Sequence, residues 1–269
     1  VIGGPHVTFL ADEGLEHCDF VVRGEGHETL PELVATLEAG SNLATVAGLS
    51  YRGADGQPVH NPDRRPTPAE EFAEQPAPAL DLIKGHERMT NIPIMTQWGC
   101  PFNCDFCAVV EMFGRRVRSR SIENVLDELE QYRGRGAVFF YDDNFVVNKA
   151  RTRALLEGMI DRGLTPNWSA QVRAEVVFKD KRTGELDHEL LALMRDSGCR
   201  TVYCGFESPN PATLEAYKKH QSVEDIRASV AAFHQYGIHV HGMFVLGADT
   251  DDQRIFRQVV DFALENEID

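Results

Sequence analysis

The sequence predicts an α/β fold in which parallel strands alternate with helices, preceded by a smaller segment of mixed strand and helix. Near-continuous apolar runs recur from Ile94 onward, Ala137-Val138-Phe139-Phe140-Tyr141 most clearly, as expected of parallel strands covered on both faces. Five such runs are each followed by a stretch of helical periodicity, which implies a parallel sheet, either open or curled into a barrel. Six of the thirteen prolines fall within Pro58–Leu80 (PVHNPDRRPTPAEEFAEQPAPAL), a density that reads as an extended linker between the small and large parts.

Taken in order, Asp19–Arg23 (DFVVR) reads as a short buried strand and Gly24-Glu25-Gly26 as the turn after it. His27–Ala39 then carries Leu30, Leu33, Val34 and Leu37 at helical spacing. Gly48–Arg52 and Pro58–His60, around Asp55-Gly56, resemble a hairpin. These features divide the chain into residues 1–57, a linker at 58–86 and a core at 87–269. In the core the expected strands are Ile94–Trp98, Ala137–Tyr141, Asn167–Gln171, Thr201–Phe206 and His239–Leu246. One helix places Ile122, Val125, Leu126 and Leu129 on one face with Ser121 as N-cap. Another, after Ser222, aligns Val223, Ile226, Val230 and Phe233, and the last carries Ile255, Val259, Phe262 and Ala263. A sheet that ends on a helix lacks its following strand, and no initiator Met opens the chain. Both ends therefore read as truncated.

Composition narrows the function. A formal net charge of −15 argues against a protein that coats nucleic acid, since phosphate binding runs on Lys and Arg. Arg115, Arg116, Arg118 and Arg120 form a local exception, readable as a basic site or as a solvated stretch leading into a helix. No apolar run approaches the ~18 residues of a transmembrane helix, and the first residues have no signal-peptide character. Six cysteines are too few for a disulfide scaffold in 269 residues, and three of them crowd into Cys100–Cys107. That pattern points to metal binding in a reducing, cytoplasmic compartment. Cys18, Cys199 and Cys204 are scattered and read as small buried apolar residues.

Cys100-Pro-Phe-Asn-Cys104-Asp-Phe-Cys107 follows the first expected core strand directly. Three thiolates on a tight loop can each bind one iron of a cubane cluster and leave the fourth iron open. Zinc is the competing reading, but it takes four ligands, and no fourth Cys or His pair lies close after Cys107 in the sequence. Polar residues recur where the later strands end: Asp142-Asp143-Asn144 after the second, Gln171 and Arg173 after the third, Glu207 and Ser208 after the fourth. Each could simply turn the chain or cap a helix.

The C-x3-C-x2-C spacing resembles the signature of the radical S-adenosylmethionine (SAM) superfamily, including the aromatic Phe106 before the last cysteine. The resemblance implies a partial (β/α)6 radical SAM barrel, TIM-like, with its cofactors at the C-terminal ends of the strands. It implies that Cys100, Cys104 and Cys107 hold a [4Fe–4S] cluster whose open iron binds SAM, giving methionine and a 5′-deoxyadenosyl radical on one-electron reduction. Phe106 would pack near the adenine. Asp142 and Asp143 match positions that bind the SAM amino group, and Gln171 and Arg173 close the third strand beside them. Glu207 and Ser208, in a Gly-x-Glu-Ser pattern, match ribose- or methionine-contacting positions. No residue is singled out as a catalytic acid or base.

Val1-Ile2-Gly3-Gly4-Pro5-His6, with Phe20–Gly26 (FVVRGEG), is similar to the end of a doubly wound cobalamin-binding domain. There Gly3 and Gly4 would let the nucleotide tail approach the backbone. The family's cobalt-ligating Asp-x-His-x-x-Gly motif is absent, so cobalamin is expected in the full-length protein and only weakly on this chain alone. Phe139–Phe145 (FFYDDNF) and Gly242–Asp252 (GMFVLGADTDD) resemble relatives of the hopanoid methylases. The resemblance implies cobalamin-dependent methyl transfer to an unactivated carbon of a small-molecule or lipid substrate, with an electron donor such as flavodoxin or ferredoxin. The alternatives are a methylthiotransferase or other radical SAM enzyme acting on RNA or protein, and a non-catalytic metal-binding interaction module.

Overall fold

Four of the five apolar runs of the core form parallel sheet strands as expected; of Ile94–Trp98 only Ile94 does, ending the strand Asn91–Ile94, while Gln97–Trp98 pairs antiparallel with Arg118–Ser119. The computed structural model describes residues 1–269. Val1–Glu71 with Glu111–Phe113 form one compact unit, and Phe72–Val110 with Gly114–Asp269 form the other.

The first unit carries a small sheet in the order β1 (Ile2–Gly3), β2 (Phe20–Val22), β3 (Leu49–Arg52), β4 (Pro58–His60). β1 and β2 are parallel, and β3 and β4 are antiparallel, as the hairpin reading anticipates. Its helices are α1 (Pro5–Phe9), α2 (Ala11–His17) and α3 (Gly26–Glu38). The apolar stripe expected on α3 is only partly covered. Leu33 is fully buried, whereas Leu30, Val34 and Leu37 lie 44–46% exposed.

The stretch 58–86 is not the extended linker its prolines suggest. Pro58–His60 is the edge strand β4, where the missing amide of proline is tolerated. Further along come α4 (Ala69–Ala73) and a 3₁₀ turn at Leu80–Leu82, and Phe72 and Leu80 are buried.

In the second unit the main sheet runs in the order β13-β12-β9-β8-β5, all parallel. Its strands are β5 (Asn91–Ile94), β8 (Ala137–Phe140), β9 (Trp168–Val172), β12 (Cys199–Glu207) and β13 (His239–Phe244). Two small antiparallel pairs lie outside it, β6 (Gln97–Trp98) with β7 (Arg118–Ser119) and β10 (Phe178–Asp180) with β11 (Glu185–Leu186). Successive sheet strands are neighbours, so the chain winds in one direction along the sheet, the topology of an open β/α barrel.

The connecting helices are α5 (Val109–Phe113) and α6 (Ile122–Gln131), then α7 (Lys149–Asp161), α8 (His188–Asp196), α9 (Pro211–Ala216) and α10 (Val223–Gln235), with α11 (Ile255–Glu265) following β13. Ser121 caps α6 by accepting from the Asn124 amide, and Ser222 forms a reciprocal capping box with Asp225.

Only one face of the sheet is covered by helices. Ile92, Ile94, Val138, Phe140, Trp168, Ala170, Val202 and Val240 are buried in one continuous core with Leu126, Leu155, Leu191 and Phe233 from the helices. Alternate residues, including Phe139, Gln171, Tyr203 and His241, are half-buried or exposed. The expected burial of Ala137–Tyr141 on both faces is thus replaced by alternation, because a curled sheet turns its other face into the barrel interior. No helix is long and apolar enough to cross a membrane.

The arginine-rich stretch does not form a basic surface. Arg118 and Arg120 are buried, and Arg118 lies over the rings of Phe72 and Trp98. Arg120 pairs with Glu128, which is 1% exposed, and donates to the Met95 carbonyl at 2.8 Å and to Asn124 Oδ1 at 2.7 Å. Burial pushes the Glu128 carboxyl up, against the opposing pull of Arg120. Removing one partner of such a pair leaves a charge stranded, which costs about 3–5 kcal/mol, whereas replacing both by apolar groups is often neutral. Arg120→Ala should therefore destabilise this unit by about 3–5 kcal/mol, and Arg120→Met with Glu128→Leu should restore most of it. Both tryptophans, Trp98 and Trp168, belong to the unit, so fluorescence during urea unfolding reports its stability.

Candidate metal centre

The first sheet strand stops four residues earlier than its sequence suggests. Asn91–Ile94 pairs with β8, but the Thr96 amide donates to Asp142 Oδ1 at 2.6 Å, the Thr96 hydroxyl to Oδ2 at 2.5 Å and the Gln97 amide to Oδ1 at 3.3 Å. Gln97 Nε2 also donates to the carbonyls of Asn144 and Phe145. These bonds draw the chain off the sheet, and Gln97–Trp98 pairs instead with Arg118–Ser119. That two-residue ladder closes the base of a loop holding Cys100, Cys104 and Cys107.

Backbone contacts hold the loop on both sides. Gly99 has φ +91°, and a Cβ there would lie 2.7 Å from the Arg116 carbonyl, so the loop strands cross where only glycine fits. Its amide donates to Asp143 Oδ2 at 3.1 Å. Arg115 donates to the Pro101 carbonyl from Nε and Nη2, and the Cys107 amide turns back to the Cys104 carbonyl at 3.1 Å. The Asp105 amide donates to the Tyr217 carbonyl, and Lys218 Nζ meets Asp105 Oδ1 at 2.7 Å. Phe106, 41% exposed, rests against Tyr217 with ring centroids 4.9 Å apart. The three cysteines are half-buried free thiols, and burial pushes the Cys100 thiol up, opposed by the Phe102 amide and the Arg173 charge.

The other anticipated residues divide by what they touch. Asp142 is fully buried, with both oxygens engaged by Thr96 and Gln97, and this removes it from the groups that can meet a ligand. Its neighbour Asp143 is half-buried and holds Gly99 beside Cys100. Arg173, buried, lies 3.8 Å over the Phe102 ring and donates from Nη1 to Cys104 Sγ at 3.6 Å. Glu207 ends β12 with φ +64° and forms a buried ion pair with Lys219 Nζ at 2.6 Å. A Cβ on Gly205 would meet both members of that pair, at 2.5 Å and 2.8 Å. Ser208 is buried and accepts from the Asn210 amide at 3.1 Å, the turn-forming alternative of the sequence reading. Gln171 is half-buried, opposite Tyr203 on the inner face.

Gly3 and Gly4 belong to the first unit. Gly3 pairs with Val22, and Gly4, at φ +109°, precedes α1. Phe102, Tyr217 and Lys219 were not anticipated. Phe102 sits inside the cysteine motif and could have been suspected, whereas nothing in the sequence marks the segment after α9 as reaching the loop.

A family model described as the radical SAM superfamily matches residues 94–259. The chain belongs to the radical SAM superfamily. An uncharacterised methyltransferase of Pyrococcus horikoshii is 34% identical over the whole chain, which covers 58% of that relative. The bacteriochlorophyllide d C-12(1)-methyltransferase of Chlorobaculum tepidum is 30% identical, with 100% of the chain and 55% of the relative covered. The chain thus spans little more than half the length of these curated relatives. A hopanoid C-2 methylase of Rhodopseudomonas palustris is 29% identical over 72% of the chain and 36% of its own length, in line with the resemblance noted above. Among solved structures, the radical SAM methyltransferase TsrM from Kitasatospora setae, with cobalamin and a [4Fe–4S] cluster bound, aligns with TM-score 0.77. It is 19% identical, with 99% of this chain and 53% of that one covered, a likeness of fold. Membership of the radical SAM superfamily implies a [4Fe–4S] cluster and SAM.

Burial pushes the Asp142 carboxyl up to about 6, outweighing the Thr96 and Gln97 hydrogen bonds and the Arg151 charge that favour ionisation. The folded chain therefore holds this proton between about pH 4 and 6, where the unfolded chain releases it. Stability contributed by the group is present below about pH 4 and is lost as pH rises through 6, by about 3 kcal/mol at most. Asp142→Asn should remove that segment of the stability–pH curve. Parallel wild-type and variant curves across pH 4–6 would contradict the assignment.

Proposed function

We propose that the protein is a radical SAM enzyme in which Cys100, Cys104 and Cys107 hold a [4Fe–4S] cluster, and that the whole protein uses cobalamin to transfer a methyl group to an unactivated carbon of a small-molecule or lipid substrate. The observation that carries the reading is the cysteine loop itself, clamped at its base by β6 and β7 beside the C-terminal ends of parallel strands.

The donor set fits the cluster. Three free thiols on one loop are soft ligands, and none is committed to a disulfide. A cubane takes each of the three thiolates on a different iron. When bound, the cluster and SAM together supply reductive cleavage of a carbon–sulfur bond, and with it a carbon-centred radical.

This chain's own residues orient and shield. Phe106, backed by Tyr217 and still 41% exposed, offers a ring face for the adenine. Asp143, half-buried and bonded to Gly99 beside Cys100, is the carboxylate suited to the amino group of SAM, and the buried Glu207–Lys219 pair supports the end of β12. A cobalamin tail would lie along Gly3 and Gly4 of the first unit, where open space surrounds the Cβ position of Gly4. Methyl transfer is supported by the names of the relatives, and a flavodoxin- or ferredoxin-type donor would supply the electron.

Anaerobic reconstitution should give about four iron and four sulfide per chain. Cys100→Ala, Cys104→Ala and Cys107→Ala should each abolish this, and Cys18→Ala should not. The reduced protein should convert SAM to methionine and 5′-deoxyadenosine. Stoichiometric zinc without a redox-active spectrum would end the reading. Phe106→Ala should weaken SAM binding by the ~1–3 kcal/mol of a lost aromatic–base stack, with iron content unchanged, as equilibrium dialysis can check.

A further inference from the structure

We propose that Arg173 is a positioning residue that raises the reduction potential of the cluster, acting through a directional hydrogen bond from Nη1 to Cys104 Sγ. The inference rests on the cluster reading above and assigns a role to a side chain for which the sequence suggested only SAM contact.

The geometry is that of a fixed donor. Nη1 lies 3.6 Å from Cys104 Sγ, and the guanidinium carbon sits 3.8 Å from the centroid of Phe102, a residue between two of the cysteines. Nε donates to Glu175 and Nη2 to the carbonyl of Lys219. Three nitrogens and one face are thereby engaged on four different partners, and the side chain is 5% exposed. A guanidinium has five N–H groups in a rigid planar fork, so the two bonded arms and the Phe102 ring that sets the tilt of the plane together aim the third. Little surface remains for a ligand arriving from solvent.

The Glu175 carboxylate balances much of the Arg173 charge, as Glu207 balances Lys219. What reaches Cys104 is therefore chiefly the oriented N–H rather than a long-range field. Hydrogen bonds to ligating sulfurs are among the factors that set an iron–sulfur potential. The reduced cluster carries one more negative charge, so an N–H aimed at a ligating sulfur stabilises it more than the oxidised form. The step is a one-electron reduction by an external low-potential donor. Arg173 neither gains nor loses a proton, and no bond is made or broken at it.

The test is an EPR-monitored redox titration without SAM, on reconstituted wild type, Arg173→Gln, Arg173→Lys and Phe102→Leu, with iron and sulfide measured on each. Arg173→Gln should lower the midpoint by the equivalent of a tenfold change in the reduced-to-oxidised ratio, about 59 mV for one electron. Arg173→Lys keeps the charge without the fork and should also fall, by less. Phe102→Leu, which removes the supporting ring and leaves the guanidinium, should shift in the same direction. An Arg173→Gln protein with full iron and an unchanged midpoint overturns the proposal, whatever happens to its SAM affinity. If that variant fails to retain iron, an unchanged midpoint in iron-replete Phe102→Leu overturns it instead. A wild-type chain that assembles no cluster overturns the functional reading, and this inference with it.

Discussion

The carboxylate of Asp142 reaches from the end of β8 to the Thr96 amide, the Thr96 hydroxyl and the Gln97 amide, and the path of the cysteine loop depends on those bonds. Amides that would otherwise look for a neighbouring strand are satisfied by a side chain. The backbone therefore leaves the sheet after Ile94 and can pair with Arg118–Ser119. The clamp is itself held from behind. Arg151 donates to the carbonyls of Thr96 and Arg120, and Arg120 pairs with Glu128. A line of buried and half-buried charges thus runs from α6 and α7 to the root of the loop. Burial of so many polar groups is unfavourable unless each finds partners, and this raises the cost of any alternative path for the loop.

Around the loop the same logic appears in smaller form. The chain is acidic overall, yet the buried charges nearest the cysteines come in opposite pairs, Arg173 with Glu175 and Lys219 with Glu207. Paired charges contribute orientation more than net field. Asp143 and Arg115 hold loop atoms at Gly99 and Pro101, and Tyr217 and Lys218 hold it at Asp105. A loop fixed from several elements keeps its thiols in place without regular structure of its own. A site that must exclude solvent and position two cofactors needs that kind of support.

Much of this was legible in the residues. Apolar runs at regular spacing located four of the five parallel strands and only the last residue of the other, and Ser121 and Ser222 announced the helices they cap, because these signals are local. The cysteine spacing is likewise local. The end of the first strand was not legible, since Met95–Trp98 are good strand residues and what stops them is a carboxylate 46 positions away. Asp142 and Asp143 have identical chemistry, but past the end of β8 one is buried against Thr96 and Gln97 and the other reaches Gly99, a division that residue type does not reveal. The prolines of 58–86 misled because proline is excluded from strand interiors but tolerated at an edge, where β4 lies. Helical spacing likewise identified α3 without revealing that only Leu33 of its stripe is covered.

As proposed above, Cys100, Cys104 and Cys107 hold a four-iron cluster and leave one iron open to SAM. The most direct measurement is the EPR spectrum of the reduced, reconstituted protein recorded with and without SAM. A three-cysteine cluster should give a [4Fe–4S]⁺ signal whose shape and g-values change on adding SAM, because the molecule binds the iron that lacks a protein ligand. A cluster signal indifferent to saturating SAM would contradict it, as it would mean that the fourth iron is closed or that SAM binds elsewhere.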